Sequence, residues 1–216
     1  MPRHFRTLVK RGVPKKYNMV NTFLPRPDYA QSAQDLDYKR LGKQRVEAFQ
    51  ILRANLGLTQ GWRNHPAAVM WRGHEGALCE YTLAICDEWI KRGYNDSIRI
   101  QVLQIMEDLP QQTFQTPWWL GIPELHESHQ SNLRRKNPVY YNYSVPDDIS
   151  YKWPREDKTI KTKEQIHEDK VLLQNKQGRR KRRSVASNSK RKRARSTKRR
   201  ATKAGTRKRV VEPSSS

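Results

Sequence analysis

Residues 36–53 read LDYKRLGKQRVEAFQILR, and the fold turns on how this strip is arranged in space. Leu41, Ala48, Phe49, Leu52 and, just beyond, Leu56 recur at near-helical spacing, while Arg40, Lys43, Gln44 and Glu47 take the opposite side. The spacing predicts a helix from about Tyr38 to Leu56 that packs one face and turns the other outward. On the outward face one carboxylate, Glu47, stands among Lys39, Arg40, Lys43, Arg45 and Arg53. Its plainest reading is an i, i+4 ion pair with Lys43, worth about 0.3–0.5 kcal/mol on an exposed helix.

Helical signals continue on both sides of this strip. Pro25 and Pro27 fix an extended lead-in, after which Asp28 can cap a short helix to about Leu36. A loop, GLTQGWRNH, leads to Pro66, a favoured first helical residue, and one long helix is expected to about Arg92. Its seam is Val69, Met70, Ala77, Leu78, Tyr81, Ile85 and Trp89, and KRGYN closes it with Gly93 at the left-handed stop. Asp96 caps a further helix to about Asp108, and Glu124–Lys136 reads as another. Between them PQQTFQTPWWLGIP is irregular, and NPVYYNYSVPDDISYKWP is an aromatic return onto the domain. No alternating strand pattern is found, so the expected architecture is all-α, a single compact helical domain.

Charge divides the chain. Of the net +23, residues 178–216 hold 17 Lys and Arg against one acid, Glu212, and residues 1–18 hold six basic residues and no acid. The middle is nearly neutral and contains all six Trp. The expected organisation is a basic arm over 1–18, a helical domain over 19–156, a linker helix within 157–177 and a polycationic tail over 178–216. Both arms are expected to be disordered, because like charges without large apolar residues cannot offset the entropy of ordering. Arg179, Arg180, Lys181, Arg182, Arg183, Lys190, Arg191, Lys192 and Arg193 form the tail's densest clusters. Such runs bind phosphate backbones by counterion release, so double-stranded DNA is the expected partner. The same clusters suit a nuclear import receptor in a eukaryotic host, with the nucleoid or a virion as the alternative location.

Cys79 and Cys86 lie two helical turns apart, too far for a disulfide, and are expected to be buried thiols in a reducing compartment. No apolar run is long enough for a membrane span and the basic N-terminus lacks the apolar stretch of a secretory signal, so a soluble, intracellular protein is expected, and it is expected to be a monomer. His126 and His129 sit one turn apart, but no third and fourth ligands accompany them. Neither a metal nor another cofactor is expected. Trp118, Trp119 and Trp62 are the aromatic residues most open to a stacking or wedging role, the remaining rings being assigned to the core.

NTFLPRPD, LGKQRVEAFQIL, the WRNHP loop, the KRGYN helix end and HESHQSNLRRKNPVYY occur in the order seen in relatives of the phage-type pyrimidine-dimer DNA glycosylases. Over residues 19–154 the chain resembles that family, and in particular a bacterial branch of it. The resemblance implies a small helical, metal-free enzyme. In this family a terminal amine attacks C1′ of the damaged nucleotide, and a carboxylate assists base departure and strand cleavage by β-elimination. Arg45 and Glu47 fall where the family has an Arg followed by its catalytic Glu, with Val46 intervening here. His65 matches the family's His before the long helix. His129, Arg134, Arg135 and Lys136 fall in its C-terminal DNA-contacting segment, and Arg40 and Lys43 extend the basic surface. On this reading Glu47 is held ionised, its pKa lowered by the surrounding cations.

The same resemblance requires a free amine, yet 18 residues precede Met19. Initiation or processing at Met19 would expose Val20. Otherwise the domain is a catalytically degenerate, non-enzymatic DNA-binding or DNA-compacting module, or Pro2 is delivered by the folded-back arm, or a lysine such as Lys39 or Lys43 serves.

Overall fold

The computed structural model describes residues 20–182 and residue 189. Pro2, Met19, the arm over 1–18 and the tail residues Arg183, Lys190, Arg191, Lys192 and Arg193 lie outside these. The described chain divides into two units after Lys163.

The first unit is helical. It comprises α1 (Tyr29–Asp35), α2 (Tyr38–Asn55), α3 (Pro66–Val69), α4 (Glu75–Lys91), α5 (Ile98–Glu107) and α6 (Pro123–Lys136), with a 3₁₀ turn at Gln111–Phe114. The local signals act where expected. Asp28 Oδ1 accepts the Gln31 N–H at 2.7 Å to start α1, and Asp37 Oδ1 accepts from Lys39 and Arg40 to start α2. Asp96 Oδ1 accepts from Ile98 and Arg99 to start α5. Gly93, at φ 88°, ends α4 in the left-handed region.

α4 is the central element, packing against α1, α2 and α5. Its own Tyr81 and, near that ring, Trp71 and Trp119 are wholly buried, with the Trp71 and Trp119 rings edge to face at 4.9 Å. Two glycines permit the closest approaches. A Cβ on Gly42 would stand 2.8 Å from the Trp89 ring, and one on Gly76 would stand 2.6 Å from Phe114.

Three expectations need correction. The helix expected from Pro66 to Arg92 is two helices, α3 and α4, because Gly73 at φ 80° breaks the chain between them. The architecture is mostly helical, as expected, but the expected absence of strands is corrected by one two-stranded antiparallel hairpin, β1 (Lys152–Pro154) with β2 (Ile160–Thr162). Its three-residue strands are too short to display a period of two, and Pro154 is tolerated because each strand is an edge. A helix, α7, covers residues 163–182, beginning at the last residue of the first unit, so residues 178–182, expected to belong to a disordered tail, are helical. No helix among the described residues is long and apolar enough to cross a membrane.

Candidate active site

The segment Val20–Pro25 is extended and buried, and belongs to no sheet. Buried backbone N–H and C=O groups need partners, and here side chains from three helices provide them. Gln44 of α2 is bidentate, with Nε2 donating to Asn21 O at 2.6 Å and Oε1 accepting from Phe23 N at 3.0 Å. Tyr81 of α4 donates to Phe23 O at 2.8 Å. From α6, His126 Nδ1 donates to Leu24 O at 2.8 Å and His129 Nδ1 accepts from Leu24 N at 3.0 Å. Gln130 Nε2 donates to Pro25 O at 2.8 Å. The Thr22 hydroxyl accepts from Trp71 Nε1 at 3.0 Å. These side-chain bonds stand in for the strand neighbours that the segment lacks.

Glu47 meets the start of this segment. Its Oε2 accepts the Asn21 N–H at 3.4 Å, and its Oε1 lies 3.0 Å from Lys43 Nζ. The carboxyl is buried, which corrects the expectation of an outward face; Gln44 beside it is buried completely. At 100° per residue, Leu41, Gln44, Ala48 and Ile51 form the true packed stripe, with Gln44 near its middle and Glu47 at its edge. Glu47's pKa is also the reverse of the one expected. Burial pushes it above the usual carboxylate range and outweighs Lys43, the Asn21 N–H and Lys136, which act the other way.

Cations surround the exposed side of this acid. Arg40 pairs with Asp37 at 2.5 Å and lies over the Tyr141 ring, while the Tyr141 hydroxyl donates to Asp37 Oδ2 at 2.7 Å. Against the cost of burial, the hydrogen bonds from Tyr141 and Arg40 hold Asp37 below the ordinary carboxylate range. Lys136, in the last turn of α6, places Nζ 5.9 Å from the Phe23 ring centre. Arg134 and Arg135 bond carbonyls of the aromatic return, Arg134 to Val145 and Arg135 to Asp147 and Ile149, and so tie that return to α6.

Other expected site residues lie elsewhere. Arg45 points away from Glu47, pairing with Asp96 and lying over the Trp89 ring at 4.7 Å. His65 caps α3, its Nδ1 accepting from Ala67 N at 3.2 Å, with its ring between Trp62 and Trp153. His129, expected on the DNA-contacting surface, is fully buried and neutral; desolvation, with His126 nearby, lowers its pKa to about 3. Of the adjacent tryptophans, Trp119 is buried and Trp118 is exposed. Trp62 is partly exposed on a residue at φ 64°, an uncommon conformation for a large side chain. Arg179, Arg180, Lys181 and Arg182 lie exposed on α7.

Cys79 and Cys86 are buried thiols pushed up to about 12, chiefly by desolvation, which removes them as nucleophiles. The site thus assembles two buried acids, Glu47 and Asp37, the cations Arg40, Lys43 and Lys136 near them, and a fixed stretch of backbone beginning at Val20. Gln44 did not stand out as a site residue in the sequence, and His126 drew notice there only for its one-turn spacing from His129. The only available signal was a polar residue at the centre of an apolar helical stripe.

Residues 20–102 match the family model described as pyrimidine dimer DNA glycosylase. No curated protein and no solved structure matches the chain.

Proposed function

The helical domain belongs to the pyrimidine dimer DNA glycosylase family, shown over residues 20–102, and from that premise we propose that it removes a damaged pyrimidine and then cleaves the strand as an AP lyase. The family implies DNA as substrate. The observation that carries the finer reading is the hydrogen bond between Glu47 Oε2 and the Asn21 N–H. The nitrogen one residue earlier, that of Val20, becomes a free amine in a chain that begins after Met19.

A neutral amine at that position attacks C1′ of the damaged nucleotide; the C1′–N bond breaks and the pyrimidine leaves with the electron pair. Opening of the sugar ring moves electrons to O4′ and leaves an iminium at C1′. The iminium acidifies the C2′ proton, Glu47 takes it, and the electron pair expels the 3′ phosphate oxygen. A carboxyl raised by burial is a stronger base than a surface carboxylate, and the Lys43 ion pair keeps it oriented. Arg40, Lys43, Arg135 and Lys136 supply the positive surface that the phosphates require, and the tail adds affinity without base recognition.

Borohydride reduction during incubation with abasic or UV-irradiated duplex tests this directly. A chain starting at Met19 is expected to be trapped covalently through Val20. Glu47→Gln is expected to keep the abasic complex and lose about 10²–10⁴-fold in strand scission. Absence of an adduct from every form of the protein, with DNA binding intact, would establish the non-enzymatic binding module instead.

A further inference from the structure

In the chain that begins at Met1, Val20 has no free amine, because its nitrogen is part of a peptide bond. Building on the glycosylase and lyase function proposed for this site, we propose that in this longer form Lys136 supplies the amine that becomes covalently joined to the DNA sugar.

Position is the first reason. Lys136 extends from the last turn of α6 across the Phe23 ring, two residues from the Asn21 N–H that meets Glu47. Its amine lies within electrostatic reach of Glu47, Arg40, Lys43 and Arg135. The side chain is exposed to solvent, so a sugar can approach it. Partial desolvation, and then the neighbouring Arg40, Lys43 and Arg135, hold the amine below the ordinary lysine range, with Glu47 opposing. A partly desolvated lysine beside other cations is the arrangement that keeps an amine neutral and nucleophilic.

The other lysines of the basic strip are less suited. Lys43 is occupied by Glu47 at 3.0 Å and is largely exposed. Lys39 rests over the exposed ring of Tyr38, its neighbour in sequence.

At an abasic site the neutral Nζ adds to the C1′ aldehyde and forms a C–N bond. Proton transfer and loss of the hydroxyl as water give the iminium. Glu47 then removes the C2′ proton, the 3′ phosphate oxygen leaves with the C3′–O electron pair, and water hydrolyses the iminium to release Lys136. With a base still attached, the pyrimidine is displaced from C1′ with its electron pair, and ring opening gives the same iminium.

The full chain and a chain starting at Met19 are each incubated with abasic duplex and borohydride, digested, and the adduct located by mass spectrometry. The full chain is expected to carry the adduct on Lys136. Lys136→Arg, which keeps the charge and has no nucleophilic amine, is expected to lose it while still retarding the duplex in a gel. Mapping the wild-type adduct needs no variant, so a folding defect in Lys136→Arg cannot obscure the result. An adduct on Pro2, Lys39 or Lys43 overturns the assignment, as does undiminished trapping by folded Lys136→Arg. Trapping by the Met19 form alone overturns it too, and leaves the proposed function standing. Trapping by neither form removes both.

Discussion

Gln44→Ala offers the sharpest test of how this site is built. Gln44 is fully buried and satisfies two backbone groups of the same extended segment, Asn21 O at 2.6 Å and Phe23 N at 3.0 Å. Alanine leaves both groups buried and unpaired, at about 1–3 kcal/mol each, so the expected loss is about 2–6 kcal/mol. For a domain of this size that corresponds to a melting temperature lowered by roughly 5–20 °C. Gln44→Leu, which restores most of the volume without the hydrogen bonds, should lie close to the alanine variant. Urea unfolding of the full chain followed by tryptophan fluorescence gives the free energies, and strand scission on abasic duplex gives the functional effect. Scission should fall along with stability, because the released segment takes the Asn21 N–H away from Glu47. A cost below about 1 kcal/mol for both variants would refute the claim that side chains hold this segment in place.

Stability should fall on acidification through His129. Its folded pKa of about 3 lies below the ordinary value of 6.5, so its contribution is complete above pH 6.5 and is lost as pH falls towards 3. The loss is on the order of 4–5 kcal/mol. His129→Asn, whose Oδ1 can accept the Leu24 N–H, should show a flatter acid limb; an unchanged limb in pH-dependent unfolding would count against the clamp. Gly76→Ala should cost about 1–3 kcal/mol because the new methyl meets the Phe114 ring, and adding Phe114→Leu should recover part of it in the same unfolding assay. Deleting residues 178–216, which hold 17 basic residues, should flatten the dependence of DNA affinity on salt by about 0.9 in log–log slope for each phosphate that the tail had neutralised. An identical slope would mean that the tail neutralises none.

Helix starts and stops were legible because their causes are local. Asp28, Asp96 and Gly93 each act within a few residues of themselves, and a chain read in order displays such neighbours. The division of charge into a balanced, aromatic middle and two basic arms is a property of the composition and is read directly from it. The motifs between Asn21 and Tyr141 also pointed to the family that the match over residues 20–102 supports. The break at Gly73 was missed because the apolar spacing continues across it.

The site itself was legible only in part. Glu47 was identifiable as an acid among cations, but its polarity, like that of Gln44, suggested an outward face. Both turn inward because a buried, strandless stretch of backbone needs hydrogen-bond partners. The groups that answer that need are 21 to 105 residues away in sequence. Composition and local caps were enough to place most of the helices and the excess of positive charge, whose physics is short-range or additive. Which polar side chains face inward was settled only when α2, α4 and α6 closed around Val20–Pro25, because unpaired backbone groups cost more than buried polar side chains that pair with them.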